Sequence, residues 1–171
     1  MLQKMAAFVS VELFLKHMQY IEAHLPEHYE AAAKLINAYL EFLDEDLSFQ
    51  HMDEEYKQLP VMYGSPDGCI ILCKTDNNEF AGMVAVRNKR NGICEMKRLY
   101  VLPAYKGLGI GKELCILIIS KAKQLGYKKM VLDTLERLQA AYKLYIQLGF
   151  TETEAYYENP LPGVVYFEKA L

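Results

Sequence analysis

Residues 95–114, EMKRLYVLPAYKGLGIGKEL, concentrate the groups of this chain that can do chemistry. Glu95 offers a carboxylate ahead of a strand-like stretch, and Pro103 ends that stretch. Three glycines at alternate positions, Gly107, Gly109 and Gly111, then stand between Lys106 and Lys112, directly before an apolar-periodic helix pattern. Glycine leaves the backbone unshielded, just where the first amides of a helix lack intrahelical partners. Together with the positive end of the helix dipole, such amides form a receptor for an anion, above all a phosphate. The glycine register excludes two familiar phosphate loops. A dinucleotide fingerprint would need glycine at Lys112 or Leu114, and a triphosphate loop would need glycine at Lys106 and a hydroxyl at Glu113.

A second constellation lies downstream: Ala141, Leu144, Tyr145, Gly149 and Phe150 in the pattern A-x-x-L-Y-x-x-x-G-F. With Lys106, Gly109 and Gly111 it resembles the two signatures of the GNAT acetyltransferase superfamily, in the family's order. Lysine stands at the first loop position, where the family has glutamine or arginine; it keeps the charge of arginine but lacks its bidentate fork. The resemblance is clear over roughly residues 69–171. It implies an α/β (α+β) fold, a mixed and mostly antiparallel central sheet of six to seven strands flanked by helices. It also implies acetyl-CoA as co-substrate, no metal, and acetyl transfer to a primary amine of a small molecule or amino acid. Leu99, Tyr100 and Val101 would face the pantetheine arm, Leu99 and Val101 through backbone groups. Lys106, Gly107, Leu108, Gly109, Ile110, Gly111 and Lys112 would hold the pyrophosphate.

The chemistry sets demands of its own. A lysine-like amine with a pKa near ~10.4 is unprotonated in about one molecule in 2,500 at pH 7, a deficit of roughly 4.6 kcal/mol. A general base contributes typically ~10²–10⁴-fold, which is the same order. Glu95 is the candidate base, with pairing to Lys97 or Arg98 as the structural alternative. The second signature places Tyr145 beside the leaving thiolate. A thiolate near ~8.5 and a phenol near ~10 make full proton transfer uphill by ~2 kcal/mol, so Tyr145 acts as a hydrogen-bond donor as much as an acid. Phe49, Gln50, Arg98, Tyr157 and Asn159 are the expected acceptor lining, although Tyr156–Pro160 also reads as a structured turn. A non-catalytic acyl-CoA-binding module and a peptide or protein N-acetyltransferase are the competing functions.

Composition bounds the rest. A chain of 171 residues with 52% hydrophobic content fits one domain, residues 1–171, with an ample core. A net charge of −3 without a basic stripe argues against nucleic-acid partners. Cys69, Cys73, Cys94 and Cys115 sit in apolar runs and read as buried thiols. The first residues are interrupted by Glu12 and lack a cleavage pattern, and no stretch reaches membrane-span length, so a cytoplasmic protein without membrane partners is expected. Residues 1–17 read either as an N-terminal extension or as the product of an upstream start other than the native one, and a homodimer is compatible with the resemblance. His24-Leu25-Pro26-Glu27-His28 fits an inverted zinc-protease pattern, but Pro26 belongs in a first helical turn and puts His24 before it.

The elements that must position these residues follow from periodicity. Strands are expected at 19–23, 69–74, 79–87, 93–101, 129–133, 150–155 and 164–169. Helices are expected at 27–43, 112–125 and 137–148, with mixed helix and loop over 44–59. The first helix should bury Ala31, Leu35, Ala38, Leu40 and Phe42.

Overall fold

The computed structural model describes residues 18–43 and 52–171, with the backbone alone at 52–55 and 57. The chain order is β1 (Gln19–Glu22), α1 (Pro26–Leu43), α2 (Met52–Met62), β2 (Cys69–Lys74), β3 (Phe80–Arg90), β4 (Ile93–Val101), a 3₁₀ turn (Pro103–Tyr105), α3 (Ile110–Gln124), β5 (Lys129–Leu135), α4 (Gln139–Gln147), β6 (Thr151–Thr153) and β7 (Val164–Ala170). The seven strands form one sheet in the order β1-β2-β3-β4-β5-β7-β6. Every pairing is antiparallel except β4 with β5. The expected mixed, mostly antiparallel sheet flanked by helices is what the chain forms.

Alternation along the strands splits the core into two layers. On one face Cys69, Ile71, Cys73, Val84, Val86, Cys94, Met96, Met130 and Leu132 pack with Ile110, Leu114, Cys115, Ile118 and Ala122 of α3. On the other, Ile70, Leu72, Met83, Ala85 and Tyr100 pack with Ala31, Ala32, Leu35 and Ile36 of α1. All four cysteines are buried, and burial pushes their thiols up, to about 11 for Cys73 and about 12 for the others. They are protonated packing groups, not nucleophiles.

Two irregularities shape the site. Met83 pairs with Tyr100 and Ala85 with Lys97, so β4 carries one residue more than β3 between those pairs. Arg98 sits in this bulge at φ 58°, a left-handed conformation costly for a residue that carries a Cβ and often found at functional sites. The parallel pairing of β4 with β5 covers only Ile93–Glu95 against Lys129–Val131. Beyond Glu95 the two strands part, and the β4 backbone there faces a cleft instead of a neighbour.

Several expected bounds shift. α3 begins at Ile110, not Lys112, because Gly109 at φ 84° caps it, so Gly111 lies inside the helix. α4 begins at Gln139, leaving Arg137 in the preceding turn. β6 is only three residues long, since Phe150 turns inward against Tyr145 with ring centroids 5.9 Å apart. Phe42 is 44% exposed and not buried, because it lies at the cleft mouth beyond the sheet-facing stripe of α1.

Candidate active site

The parted strands open a cleft of about 510 Å³. Its floor is β4 from Met96 to Val101, one wall is Ala141, Leu144 and Tyr145 of α4, and Tyr39 and Phe42 of α1 lie opposite. Its far end is the glycine loop. Gly107 stands at φ 81° and Gly109 at φ 84°, a region that glycine enters without steric cost. No side chain caps α3 at Gly109, so the first helical amides remain free for an outside acceptor. Among the ten residues expected to meet the cofactor, Leu99, Tyr100, Val101, Lys106, Gly107, Gly109, Ile110 and Gly111 line the cleft. Leu108 and Lys112 do not, Lys112 because α3 has already started and turns it to solvent. The Lys106 ammonium rests 3.9 Å from the centroid of the Phe42 ring at the mouth.

Tyr145 lines the cleft with a ring that is 5% exposed, packed against Phe150 and Phe167. Core packing and cleft exposure therefore coincide in one side chain. Burial above all, with smaller contributions from Cys115, Tyr39 and Asp133, pushes its phenol well above the ordinary value.

A smaller pocket of about 50 Å³ opens off the same cleft. The two share Tyr39, Lys97, Arg98, Asp133 and Thr134, and the smaller one adds Leu43, Leu135, Asn159 and Leu161. Asp133 joins them: one oxygen lies 3.3 Å from the Lys97 ammonium, and the other accepts from Tyr157 at 2.9 Å and Asn159 at 3.2 Å. Burial raises the Tyr39 phenol to about 12, with Arg98 opposing and Asp133 adding to the shift. Arg137 also lines the cleft and donates to the carbonyl of Leu43, which ties the turn before α4 to the end of α1.

Glu95 is placed differently from Tyr145. It is 1% exposed and does not line either cavity. Its Oε2 accepts from Arg87 Nε at 2.7 Å, and its Oε1 accepts from the Tyr156 hydroxyl at 2.8 Å. Burial alone would push its carboxyl up, but Lys97, Arg87 and Lys89 outweigh burial and hold it below the ordinary carboxylate value. Sequence spacing had offered Lys97 or Arg98 as its partner; cross-strand register supplies Arg87 instead, since Arg87 stands directly opposite Glu95. Of the expected acceptor residues, Arg98 lines both cavities and Asn159 the smaller one, while Tyr157 sits behind Asp133. Phe49 and Gln50 lie outside the described residues. Among the described residues, no group of three His, Cys, Asp or Glu side chains is disposed to hold a metal ion, and no helix is long and apolar enough to cross a membrane.

The model of the acetyltransferase (GNAT) family matches residues 31–150, more than half of the chain. The chain belongs to the GNAT acetyltransferase family. This GNAT chain is 42% identical over 143 residues to an uncharacterized N-acetyltransferase of Schizosaccharomyces pombe, covering 83% of this chain and 88% of that one. It is 33% identical over 138 residues to human N-acetylaspartate synthetase, covering 80% of this chain but 43% of the synthetase. Its fold superimposes with a TM-score of 0.65 on a Salmonella typhimurium protein solved with its cofactor acetyl-CoA, at 16% identity, covering 90% and 94% of the two chains. Polar side chains that line the cleft and were not among the expected site residues include Tyr39, Lys97, Asp133 and Arg137. Asp133 had a visible signal, a single carboxylate in the mostly apolar stretch MVLDTL at the end of a strand.

Proposed function

We propose that this chain transfers the acetyl group of acetyl-CoA to the primary amine of a small molecule, with amino acids as the acceptor class. The observation that carries the reading is the cleft where β4 and β5 part, with an uncapped glycine N-terminus at one end and Tyr145 and Asp133 at the other. The lining fits the cofactor: an apolar trough along the unpaired β4 backbone suits the pantetheine arm, and the amides after Gly109 suit its pyrophosphate. Leu99 and Val101 would hold the arm, and Gly107, Gly109, Ile110 and Gly111 the phosphates, with charge from Lys106. When bound, acetyl-CoA supplies the acetyl group as a thioester.

Asp133 is the carboxylate that lines the cleft among the described residues, and it takes the amine's proton, directly or through water, as the nitrogen adds to the thioester carbon. Tyr145 donates a hydrogen bond to the sulfur as the carbon–sulfur bond breaks. Its raised pKa makes complete proton transfer to the thiolate still less favourable than for an ordinary phenol, so hydrogen bonding is its main contribution. Glu95 is buried and lines neither cavity, whereas Asp133 lines both, so Glu95 is not the base in this reading.

Lys97 and Arg98 support the acceptor class. They line the smaller pocket beside Asp133, so an acceptor carrying both ammonium and carboxylate would meet opposite charges there. The similarity to N-acetylaspartate synthetase points the same way. A cytoplasmic location, a homodimer and the absence of nucleic-acid or membrane partners belong to the proposal as well.

Release of free thiol from acetyl-CoA across free amino acids, their amides and short peptides tests the reading. Free amino acids are expected to turn over, and their amides roughly 10–100-fold less efficiently for want of a charged partner at the carboxylate. Binding of acetyl-CoA without thiol release across the panel would favour the binding module. Preference for peptides would favour peptide acetylation.

A further inference from the structure

The face of the sheet at the cleft carries a row of alternating charge. Arg87 on β3 pairs with Glu95 on β4 at 2.7 Å, and Lys97, two residues on, pairs with Asp133 on β5 at 3.3 Å. Side chains two apart on a strand share a face, which places the four charges side by side. The segment after β6 lies across this row. Tyr156 donates to Glu95 at 2.8 Å and lies 3.5 Å from Asp133 Oδ1, and Tyr157 donates to Asp133. The Lys89 ammonium lies 5.6 and 5.8 Å from the centroids of the Tyr156 and Tyr157 rings. The same segment then delivers Asn159 and Leu161 to the smaller pocket, where the Asn159 side chain accepts from the Leu161 amide.

We propose that Arg87, Glu95 and Tyr156 are positioning residues that fix the 156–161 segment as one wall of the acceptor pocket, so that Glu95 governs acceptor affinity without touching the reacting atoms. The inference rests on the acetyl-transfer reading for its kinetic consequence, though the anchoring itself does not depend on it. Glu95 is the last β4 residue paired with β5 and sits outside both cavities, so no cleft-bound amine meets it. Between β6 and β7 the chain has ten residues without helix or strand, and such segments need side-chain anchors to hold one conformation. Two carboxylates supply those anchors here. Asp133 is shared with the reaction, while Glu95 serves the wall alone. Lys97 and Arg87 keep Glu95 in its ionised, strongly accepting form, and a charged acceptor makes the stronger hydrogen bond to Tyr156. Tyr156 also packs its ring on Tyr157 and Tyr166, so its removal would loosen more than one contact, whereas loss of its hydroxyl alone is a clean change.

Tyr156→Phe and Glu95→Gln separate the possibilities. Each is expected to raise the KM for the acceptor roughly tenfold, with kcat and the KM for acetyl-CoA little changed. Each is also expected to speed amide hydrogen exchange over residues 154–163 while the exchange of β4 stays as in the native protein. If Glu95 were the base, Glu95→Gln would instead lower kcat and erase the acid limb of its pH profile, and Tyr156→Phe would not; that outcome overturns the proposal. Unchanged acceptor KM and unchanged exchange in Tyr156→Phe, which keeps the ring and its packing, would overturn it too. Absence of acetyl transfer in the native protein would refute the functional reading, and the exchange measurement would still decide the anchoring.

Discussion

Asp133→Asn is expected to lower kcat/KM for the acceptor by roughly 10²–10⁴-fold, the range a general base supplies, while the affinity for acetyl-CoA stays unchanged. Asparagine keeps the size of the side chain and can still accept from Tyr157 or Asn159, so the 156–161 wall retains part of its anchoring. It loses the charge that pairs with Lys97 and the capacity to take a proton. A panel of acceptors graded by amine pKa separates the two losses. An amine near ~10 is almost wholly protonated at pH 7, whereas one near ~7.7 is unprotonated in about one molecule in six, so the variant's deficit should shrink as the amine becomes less basic. The same deficit for every amine would reduce Asp133 to an anchor of the pocket wall.

Tyr145→Phe is expected to lower kcat by about 10²-fold at saturating acetyl-CoA, the lower end of what a positioned donor contributes. The ring stays packed on Phe150 and Phe167, so folding stability should be nearly that of the native protein. The pH dependence carries a further sign. Burial raises the Tyr145 phenol well above its ordinary value, so the hydroxyl keeps its proton throughout the range in which the fold survives. The alkaline side of the native rate profile should therefore be flat with respect to Tyr145, and Tyr145→Phe should lower the profile without changing its shape. Steady-state rates from pH 6 to 9.5 check both points; an alkaline fall present in the native protein and absent in the variant would contradict them.

The sequence was most legible where a short-range pattern decides the outcome. CIILC alternates its faces, and β2 begins and ends at the expected residues, with Cys69 and Cys73 in the same layer. β4 likewise runs from Ile93 to Val101 as expected, since Gly92 and Pro103 bracket it. The glycine loop reads as an anion site, and its helix starts two residues earlier than the apolar pattern indicated because Gly109 takes the cap. What stayed hidden depends on long-range register. No local signal marks Arg98 as the extra residue of a bulge, because the bulge exists only relative to β3. The Arg87–Glu95 pair likewise arises from strands facing across a turn, and spacing along one strand favoured Lys97 or Arg98 instead. Phe42 matched the apolar stripe of α1 but lies beyond the sheet it was expected to cover, where it meets Lys106 and the cleft.

In the proposed reaction the gap between β4 and β5 holds the thioester between Tyr145 and Asp133. A crystal structure with coenzyme A and an amino acid tests it most directly. The expected result is the pyrophosphate on the amides that follow Gly109, the sulfur within hydrogen-bond reach of the Tyr145 hydroxyl, and the acceptor nitrogen turned toward Asp133. Coenzyme A bound away from the parted strands, or a sulfur remote from Tyr145 with the acceptor nitrogen on Glu95, would contradict the account.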